Sequence, residues 1–372
     1  MLVDDGVIVG VEAASFPAPE GCPVTDGPAL LPGLVDTHVH LCGDSGPRAL
    51  DQFAELSAGQ LQAVIATAEH QHLQAGVTTV RDLGDSGWAV VDRPRTGDGP
   101  TVVASGPPIT SPSGHCWSMG GEVAGVDALR RAVRERAERG ADVVKIMASG
   151  GVLTPGTDML ACQFTLTEMR AVVDEAHRQG LPVTAHAHGL PSVQRSVTAG
   201  VGGIEHCSCL THDGAQLPSE LSDRLIAAGT YVCPTLGRVP GIDPPPHVQA
   251  RLAAVSARYE DHLVHVTELL RAGPVFLAGT DAGIGPSKRH GLVPMGIVDL
   301  VACGASPAAA LGAATAVAAR ACGLERRTGR LAVGLDADLL LVDGDPLDDV
   351  TALQRPRFVV SRGREIPLTQ AG

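Results

Sequence analysis

Lysine is almost missing from this chain, and several motifs that mark particular chemistries are missing as well. Only Lys145 and Lys288 occur among 28 basic residues, and the net charge of the 372-residue chain is −13. Nucleic acid and anionic membrane surfaces need clustered basic side chains, so neither is expected as a partner. No G-x-S-x-G segment occurs, which disfavours a serine hydrolase with a nucleophile elbow. No CxxC pair occurs either, which disfavours a structural zinc ribbon.

The usual sequence features of secreted and membrane-spanning proteins are also missing. The nine cysteines are odd in number and scattered, as is typical of reduced thiols, so the chain is expected to be cytoplasmic. The N-terminal segment MLVDDGVIVG has acidic but no basic residues, so no signal peptide is expected. The uncharged stretch 300–319 is rich in alanine and glycine, and Ser306-Pro307 has the form of a helix N-cap. This stretch predicts a close-packed soluble helix rather than a membrane span.

Short apolar segments alternate with amphipathic segments from about residue 30 to about residue 320. Such alternation is typical of β-α units with a parallel sheet. Eight strands are predicted, at 33–40, 77–83, 101–110, 142–149, 181–188, 203–208, 230–236 and 275–282. Eight units in sequence favour an α/β fold with a closed (β/α)8 TIM barrel over 31–322. Residues 1–30 and 323–372 are β-like, and we expect both termini to form one small β-sandwich-like domain.

The first predicted strand carries two histidines in the motif His38-Val39-His40. Residues two apart on a strand point to the same side, so both imidazoles can reach one metal ion at the barrel mouth. A second H-x-H pair, His70 and His72, lies in a predicted helix, where residues two apart diverge. We therefore expect this second pair to lie on the surface.

The fourth predicted strand places Lys145 among apolar residues, in the segment DVVKIMAS. Arginine supplies nearly all the other positive charge, and arginine cannot replace a neutralised amine. Burial lowers the pKa of a lysine, and a neutral amine can react with CO₂ to give a carbamate that bridges two cations. The alternative is a lysine whose amine extends to solvent or to a carboxylate. The segment alone leaves both interpretations open.

Three further strand ends carry residues that can bind metals. The fifth strand ends in VTAHAHG, with His186 and His188, the sixth in GIEHCS, with His206, and the eighth in FLAGTDAG, with Asp281. The C-terminal ends of barrel strands form one rim, so these residues are expected to converge. Imidazole, carboxylate and carbamate ligands together suit Zn²⁺ or a similar transition metal.

These motifs make the chain resemble the amidohydrolase superfamily, and most of all its branch of imidazolonepropionases and prolidase-like metal-dependent carboxypeptidases. The resemblance rests on segments that follow one another in family order: LLPGLVDTHVHL, LQAGVTTVRDLG, VVKIMASGGVLTPG, VTAHAHG, AGVGGIEHCS, LAGTDAG and GRLAVGLDADLLLVDGDPLDDV. The segment VKIMASGG resembles that of the subgroup with a carboxylated lysine. Relatives begin with a longer N-terminal β segment, so the small domain is expected to be trimmed here.

The resemblance implies a binuclear centre for two divalent ions, which we expect to be Zn²⁺. Six ligands are implied, in chain order His38, His40, Lys145, His186, His206 and Asp281. The first two would hold the more buried ion together with the aspartate. The two later histidines would hold the second ion, and the lysine carbamate would bridge both.

In the implied reaction, a hydroxide shared by the two ions attacks the carbonyl carbon of a C–N bond. Asp281 takes the proton of the hydroxide and delivers it to the leaving nitrogen. His115, in the loop SPSGHCW, would contact the scissile carbonyl, and His188 would also face the substrate. The chain is therefore expected to be a hydrolase of peptides or N-acyl amino acids, similar to prolidases.

A basic segment after the eighth strand offers a way to bind a carboxylate-bearing substrate. Lys288, Arg289 and His290 are consecutive there, and Arg238 lies in the loop after the seventh strand. Such groups bind carboxylates, but a solvated loop in an acidic protein explains them equally well.

Two other functions stay open on the sequence alone. A cyclic-amide hydrolase, which opens an imidazolone or lactam ring, would use the same centre. A metal-free scaffold would have lost its ions, although the complete ligand set argues against this. In either enzymatic case the partner is a small molecule, and a homo-oligomer is compatible with the sequence.

Overall fold

Strands are present at all eight predicted positions. The computed structural model describes residues 1–13, 16–95 and 97–369. Over these residues the strands are β1 (Leu2–Asp4), β2 (Val7–Gly10), β3 (Ala29–Pro32), β4 (Leu34–Val39), β5 (Val77–Asp82), β6 (Thr101–Ala104), β7 (Val144–Met147), β8 (Val183–Gly189), β9 (Gly203–Thr211), β10 (Gly214–Ala215), β11 (Tyr231–Cys233), β12 (Val275–Phe276), β13 (Leu339–Val342), β14 (Pro356–Ser361) and β15 (Arg364–Ile366).

Helices follow most of the barrel strands. They are α1 (Ala58–Gln74), α2 (Val126–Glu138), α3 (Leu166–Arg178), α4 (Leu190–Ala199), α5 (Ser219–Ala228), α6 (Pro246–Ala253), α7 (Tyr259–Ala272), α8 (Val293–Ala302), α9 (Pro307–Ala313) and α10 (Ala316–Ala321). Short 3₁₀ helices cover Phe53–Glu55, Trp117–Met119 and Val350–Gln354.

Two parallel sheets form the barrel wall. One contains β4, β5 and β6, and the other contains β7, β8, β9, β11 and β12, with β10 added antiparallel to β9. Single bridges join the two sheets at both edges, between Val39 and Ala282 and between Ile109 and Ile146. The backbone N–H of His40 also donates to the carbonyl oxygen of Ala282 at 2.8 Å. The eight strands therefore run in chain order around one interior, which confirms the predicted (β/α)8 fold class.

Burial explains why these segments form strands and helices. Every residue of β4, β5 and β7 is buried, as expected for parallel strands covered on both faces. Helix α2 places Leu129 and Val133 in the same hydrophobic core as the strands. Helix α3 begins at a capping box, in which Thr165 and Glu168 each accept the backbone N–H of the other. The helices thus cover the outside of the barrel.

Both ends of the chain contribute to one antiparallel sheet, in the order β15-β14-β13-β3. Leu31 on β3 pairs with Leu340 on β13, and Leu340 belongs to the same core as the barrel strands. Strands β1 and β2 form a separate hairpin, whose Ile8 packs with Leu339. The small sheet therefore rests directly on the barrel. The domain boundaries at residues 31 and 322 stay a prediction.

The stretch 300–319 does not form the single helix predicted from its composition. It contains the end of α8, all of α9 and part of α10, separated by short turns. Ser306 caps α9 as expected, since its hydroxyl accepts from the N–H of Ala309 at 3.2 Å. No helix among the described residues combines the length and the apolar character that crossing a bilayer needs.

Candidate metal centre

Three predicted ligands from opposite ends of the chain meet at one point. Asp281 Oδ1 lies 3.3 Å from His38 Nε2 and 3.1 Å from His40 Nε2, and both histidines are buried. Asp281 follows β12 in a left-handed backbone conformation, with φ of 60°. Residues other than glycine rarely adopt this conformation, and functional sites are where such strain is concentrated. These three side chains could together hold one metal ion.

Lys145 lies beside this group, on β7. Its Nζ atom is 3.5 Å from His38 Nε2, and the residue is only 1% exposed. The amine therefore does not extend to solvent, whereas an amine directed at a carboxylate stays the alternative. Burial lowers the pKa of Lys145, although the charges of Glu205 and Asp281 oppose this shift. The structure thus provides the buried amine with a lowered pKa that carbamate formation requires.

Three histidines form a second group next to the first. His186 and His188 on β8 and His206 on β9 each have a nitrogen within 4.8 Å of those of the other two. The ring centroids of His38 and His206 are 5.6 Å apart, so the two groups adjoin. Burial, and then neighbouring imidazoles, hold the pKa of His186 and His206 well below the usual value. Both rings are therefore neutral at pH 7, as metal ligands must be.

Hydrogen bonds orient the rings and leave one nitrogen of each for an ion. His40 Nδ1 lies 2.9 Å from the carbonyl oxygen of Gly84, and His206 Nδ1 lies 2.9 Å from the Thr235 hydroxyl. His186 is held the other way round, with its Nε2 atom 3.2 Å from the carbonyl oxygen of Gly150. Such outer contacts fix the tautomer and direction of ligating histidines. The donor set fits divalent ions that prefer nitrogen and oxygen ligands.

Glu205 is a residue of the site that sequence reasoning missed. Its Oε2 atom lies 2.9 Å from His38 Nδ1, while Oε1 accepts from Arg81 at 3.1 Å and from the Thr184 hydroxyl at 2.6 Å. Arg81 therefore forms a buried ion pair with Glu205. A carboxylate inside the otherwise uncharged strand GIEHCS was the signal that could have revealed it.

His115 lies beside the second group, and His188 is a member of it. The resemblance implies substrate contacts for both residues, and this role stays a prediction. The ring centroids of His115 and His186 are 4.6 Å apart, and His115 Nδ1 lies 2.8 Å from the Thr154 hydroxyl. His188 Nδ1 lies 3.0 Å from the Ser208 hydroxyl. Burial lowers the pKa of both His115 and His188 to about 3. Both rings are therefore neutral.

Arg238 and Lys288 both lie close to the ring of Tyr259. The Lys288 amine donates to the carbonyl oxygens of Thr235 and Gly237, at 2.7 and 2.9 Å. The Arg238 guanidinium lies 4.8 Å from the centre of the Tyr259 ring. Burial raises the pKa of Asp281, while His38 and His40, and then the charge of Lys288, lower it.

Arg289 and His290 do not join Arg238 and Lys288. His290 is buried, with Nε2 2.8 Å from the carbonyl oxygen of Gly43 and Nδ1 3.1 Å from Nε2 of His72. His72 is therefore buried as well, and the expectation that it lies on the surface is wrong. Arg289 lines a pocket on the outer surface, together with the exposed His70. The four basic residues thus do not form one cluster.

Comparisons with known proteins identify the family. The sequence pattern of the amidohydrolase family matches residues 29–366. An ochratoxinase of Aspergillus niger is 30% identical over 370 residues, covering 89% of this chain and 74% of that protein. An imidazolonepropionase of Salinispora tropica is 29% identical over 376 residues, covering 92% and 85% of the two chains. The crystal structure of a Xaa-Pro dipeptidase with methionine bound in the active site superposes with a TM-score of 0.84 at 27% identity, over 98% of this chain and 93% of that one. The chain belongs to the amidohydrolase family and is a hydrolase that acts on carbon–nitrogen bonds.

Proposed function

We propose that the chain is a binuclear metal-dependent amidohydrolase that cleaves peptides or N-acyl amino acids, as prolidases do. The observation that carries this proposal is the pair of adjoining ligand groups at the barrel rim. One ion would be held by the group of His38, His40 and Asp281. The second would be held by His186 and His206.

Lys145 would complete the centre as a carbamate that bridges the two ions. Its burial and its distance of 3.5 Å from His38 Nε2 support this role. The nitrogen and carboxylate donors favour Zn²⁺. When bound, two such cations lower the pKa of a shared water molecule and polarise the carbonyl group of the substrate.

Asp281 is the proposed general base and acid. Burial alone would raise the pKa of its carboxyl group, but His38 and His40 hold this pKa well below the usual range. The carboxylate is therefore ionised and can accept a proton from the attacking water. It can then return this proton to the leaving nitrogen, which departs as an amine.

The neutral ring of His115 is the proposed donor to the carbonyl oxygen, where negative charge develops during attack. His188 would contact the same substrate. Lys288 and Arg238 would supply positive charge for a substrate carboxylate. A substrate role for Arg289 and His290 is not supported by their positions and stays a prediction from the sequence.

The variant Asp281→Asn tests the proposed base. We expect it to retain much of the bound metal and to lose at least about a hundredfold in kcat, because the amide cannot accept the proton. Elemental analysis and dipeptide hydrolysis measure the two properties. Asp44→Asn, at an exposed position of the same rim, is the control and should behave as the wild type. Retained turnover in Asp281→Asn would defeat the assignment.

Recognition of a carboxylate is tested by Lys288→Met. For a dipeptide with a free C-terminus, KM should rise roughly tenfold, because a charge-assisted hydrogen bond is lost. The same dipeptide with an amidated C-terminus should show no comparable rise. An equal rise for both substrates would mean that Lys288 serves only the backbone of Thr235 and Gly237.

A cyclic-amide hydrolase is the second candidate, and the similarity to an imidazolonepropionase favours it. A screen of Xaa-Pro and other dipeptides and N-acyl amino acids against hydantoin-like and lactam rings separates the two candidates. Metal analysis addresses the third possibility, a scaffold. Purified protein without metal and with unmodified Lys145 would favour that function.

A further inference from the structure

One loop encloses His115 on two sides of its ring. This loop, residues 150–157, is part of the connection between β7 and α3 and is called the 150–157 loop. Its Thr154 hydroxyl lies 2.8 Å from His115 Nδ1. Its Gly151 covers the face of the ring, because a Cβ added there would stand 2.3 Å from His115 Nε2 and 2.6 Å from Cδ2. The loop therefore sets the plane of the imidazole and the partner of its Nδ1 atom.

The hydrogen bonds of Thr154 decide which nitrogen of His115 carries the proton. The Thr154 oxygen accepts from the backbone N–H of Cys116 at 3.1 Å. Its own proton needs an acceptor, and His115 Nδ1 is the acceptor within reach among residues 1–13, 16–95 and 97–369. Thr154 is buried, so an undonated proton would cost free energy. Nδ1 therefore accepts, and the neutral ring carries its proton on Nε2.

The opposite tautomer leaves one more polar group without a hydrogen-bond partner. With the proton on Nδ1, the Thr154 oxygen would accept two N–H groups, and its hydroxyl proton would have no partner in the described part of the chain. The Cys116 thiol lies 3.5 Å from Nε2 of His115, but this contact does not discriminate between the two tautomers. A thiol can either donate to this nitrogen or accept from it.

Arg251 on α6 holds the 150–157 loop in position. Its guanidinium donates to the carbonyl oxygens of Val152 at 2.6 Å and Thr157 at 2.8 Å. Longer contacts reach the carbonyl oxygens of Gly151 and Thr154, both at 3.4 Å. The placement of the Thr154 hydroxyl is therefore independent of His115, which makes the hydroxyl able to orient the ring.

We infer that Thr154 is a positioning residue that keeps His115 protonated on Nε2, so that this nitrogen donates a hydrogen bond to the carbonyl oxygen of the substrate. The inference rests on the proposed function, which gives His115 the role of donor. A donor with a fixed direction stabilises the charge that develops on the oxygen. The proton stays on the ring throughout, so His115 ends the reaction unchanged.

The tautomer can be measured without turnover. In ¹⁵N-labelled protein loaded with Zn²⁺, two-bond ¹H–¹⁵N spectra distinguish the two tautomers, and His115→Gln identifies the signals of this ring. We expect protonated Nε2 in the wild type, and Thr154→Val should shift the ring towards the other tautomer. Thr154→Ser keeps the hydroxyl and should give the wild-type spectrum. Protonated Nδ1 in the wild type, or an unchanged tautomer in Thr154→Val, would overturn the inference.

Kinetics separate positioning from folding. In Thr154→Val, kcat for a dipeptide should fall about tenfold to a hundredfold while KM changes less than about threefold, because a misdirected donor fails mainly in the transition state. Thr154→Ser should restore kcat to within about threefold of the wild type. Thr198→Val removes an exposed hydroxyl on α4 that bonds to Gln194, and it should change neither constant. Metal content is measured for every variant.

The outcomes distinguish this inference from the proposed function. If His115→Gln keeps full kcat, the role of His115 in the proposed function fails, and the spectra alone then decide the tautomer. If Thr154→Ser is as slow as Thr154→Val with normal metal content, the positioning role of the hydroxyl is overturned.

Discussion

Glu205 illustrates, at the scale of single residues, how a buried charge orients a ligand. Burial alone would raise the pKa of its carboxyl group, but Arg81 and His38 hold this pKa below the usual range. The carboxylate is therefore ionised and can accept the Nδ1 proton of His38. Its other oxygen is held by Arg81 and Thr184. This arrangement leaves His38 Nε2 as the basic nitrogen that faces the centre.

Glu205→Gln should weaken metal binding about tenfold to a hundredfold. The glutamine amide carries no negative charge to interact with His38, and it leaves Arg81 without its carboxylate partner. Competition with a chelator of known affinity measures the change. Glu122→Gln alters an exposed carboxylate that accepts from the N–H of Ser113 and should bind metal as the wild type does. Equal affinity in both variants would mean that Glu205 does not orient the ligand.

Residue types at the strand ends indicated candidate ligands and the family resemblance implied the set of six, whereas pairwise contacts could not be predicted from the sequence. His38 and Asp281 stand out because imidazole and carboxylate groups at strand ends have few structural uses. Glu205 acts on His38 and is held by Arg81, and both come close to it only in the folded barrel. The surface prediction for His72 is wrong for the same reason, because only the fold brings His290 to that face of α1.

At the scale of elements, helix α6 controls a loop that belongs to another part of the barrel. Arg251→Met should lower kcat roughly tenfold to a hundredfold, because the carbonyl groups of the 150–157 loop lose their donor and the loop moves. The same variant should be cleaved faster by a protease within this loop. Arg178→Met removes an exposed guanidinium on α3 that pairs with Glu175, and it is the matched control. A wild-type kcat in Arg251→Met would show that the 150–157 loop keeps its conformation without this guanidinium.

Apolar periodicity predicted the position of every barrel strand but not the extent of hydrogen bonding. The eighth strand was predicted over 275–282, whereas β12 ends at Phe276. Asp281 has a φ of 60°, which a regular strand cannot include. Periodicity reports which residues are buried, and both a strand and an irregular extended segment can bury the same side chains.

At the scale of the whole molecule, buried imidazoles make stability depend on pH. Burial lowers the pKa of nine histidines: His38, His72, His115, His186, His188, His206, His262, His265 and His290. Unfolding returns each pKa to its ordinary value of 6.5, so below that pH the unfolded chain binds more protons than the folded chain. A smaller number of groups, such as Asp36 and Asp85, whose pKa burial raises to about 7, act in the opposite direction.

Metal-free protein should therefore lose stability steeply as the pH falls from about 6.5 to about 4. Urea unfolding at several pH values measures the free energy of unfolding, and its slope gives the protons taken up. We expect a net uptake of protons on unfolding at pH 5. A free energy of unfolding that is flat or rises towards pH 4 would contradict the assignment of neutral, buried imidazoles.

The sheet that joins both termini has a consequence for biosynthesis. Ala29 pairs with Val342, so the first strand of this sheet leaves the ribosome long before its partner has been translated. Leu340 also fills the space above Gly76, where even a Cβ would stand 2.7 Å from it. Until that segment emerges, the nascent barrel has an uncovered apolar patch at its N-terminal end. Such surface makes an unfinished chain prone to aggregate and a natural client for chaperones.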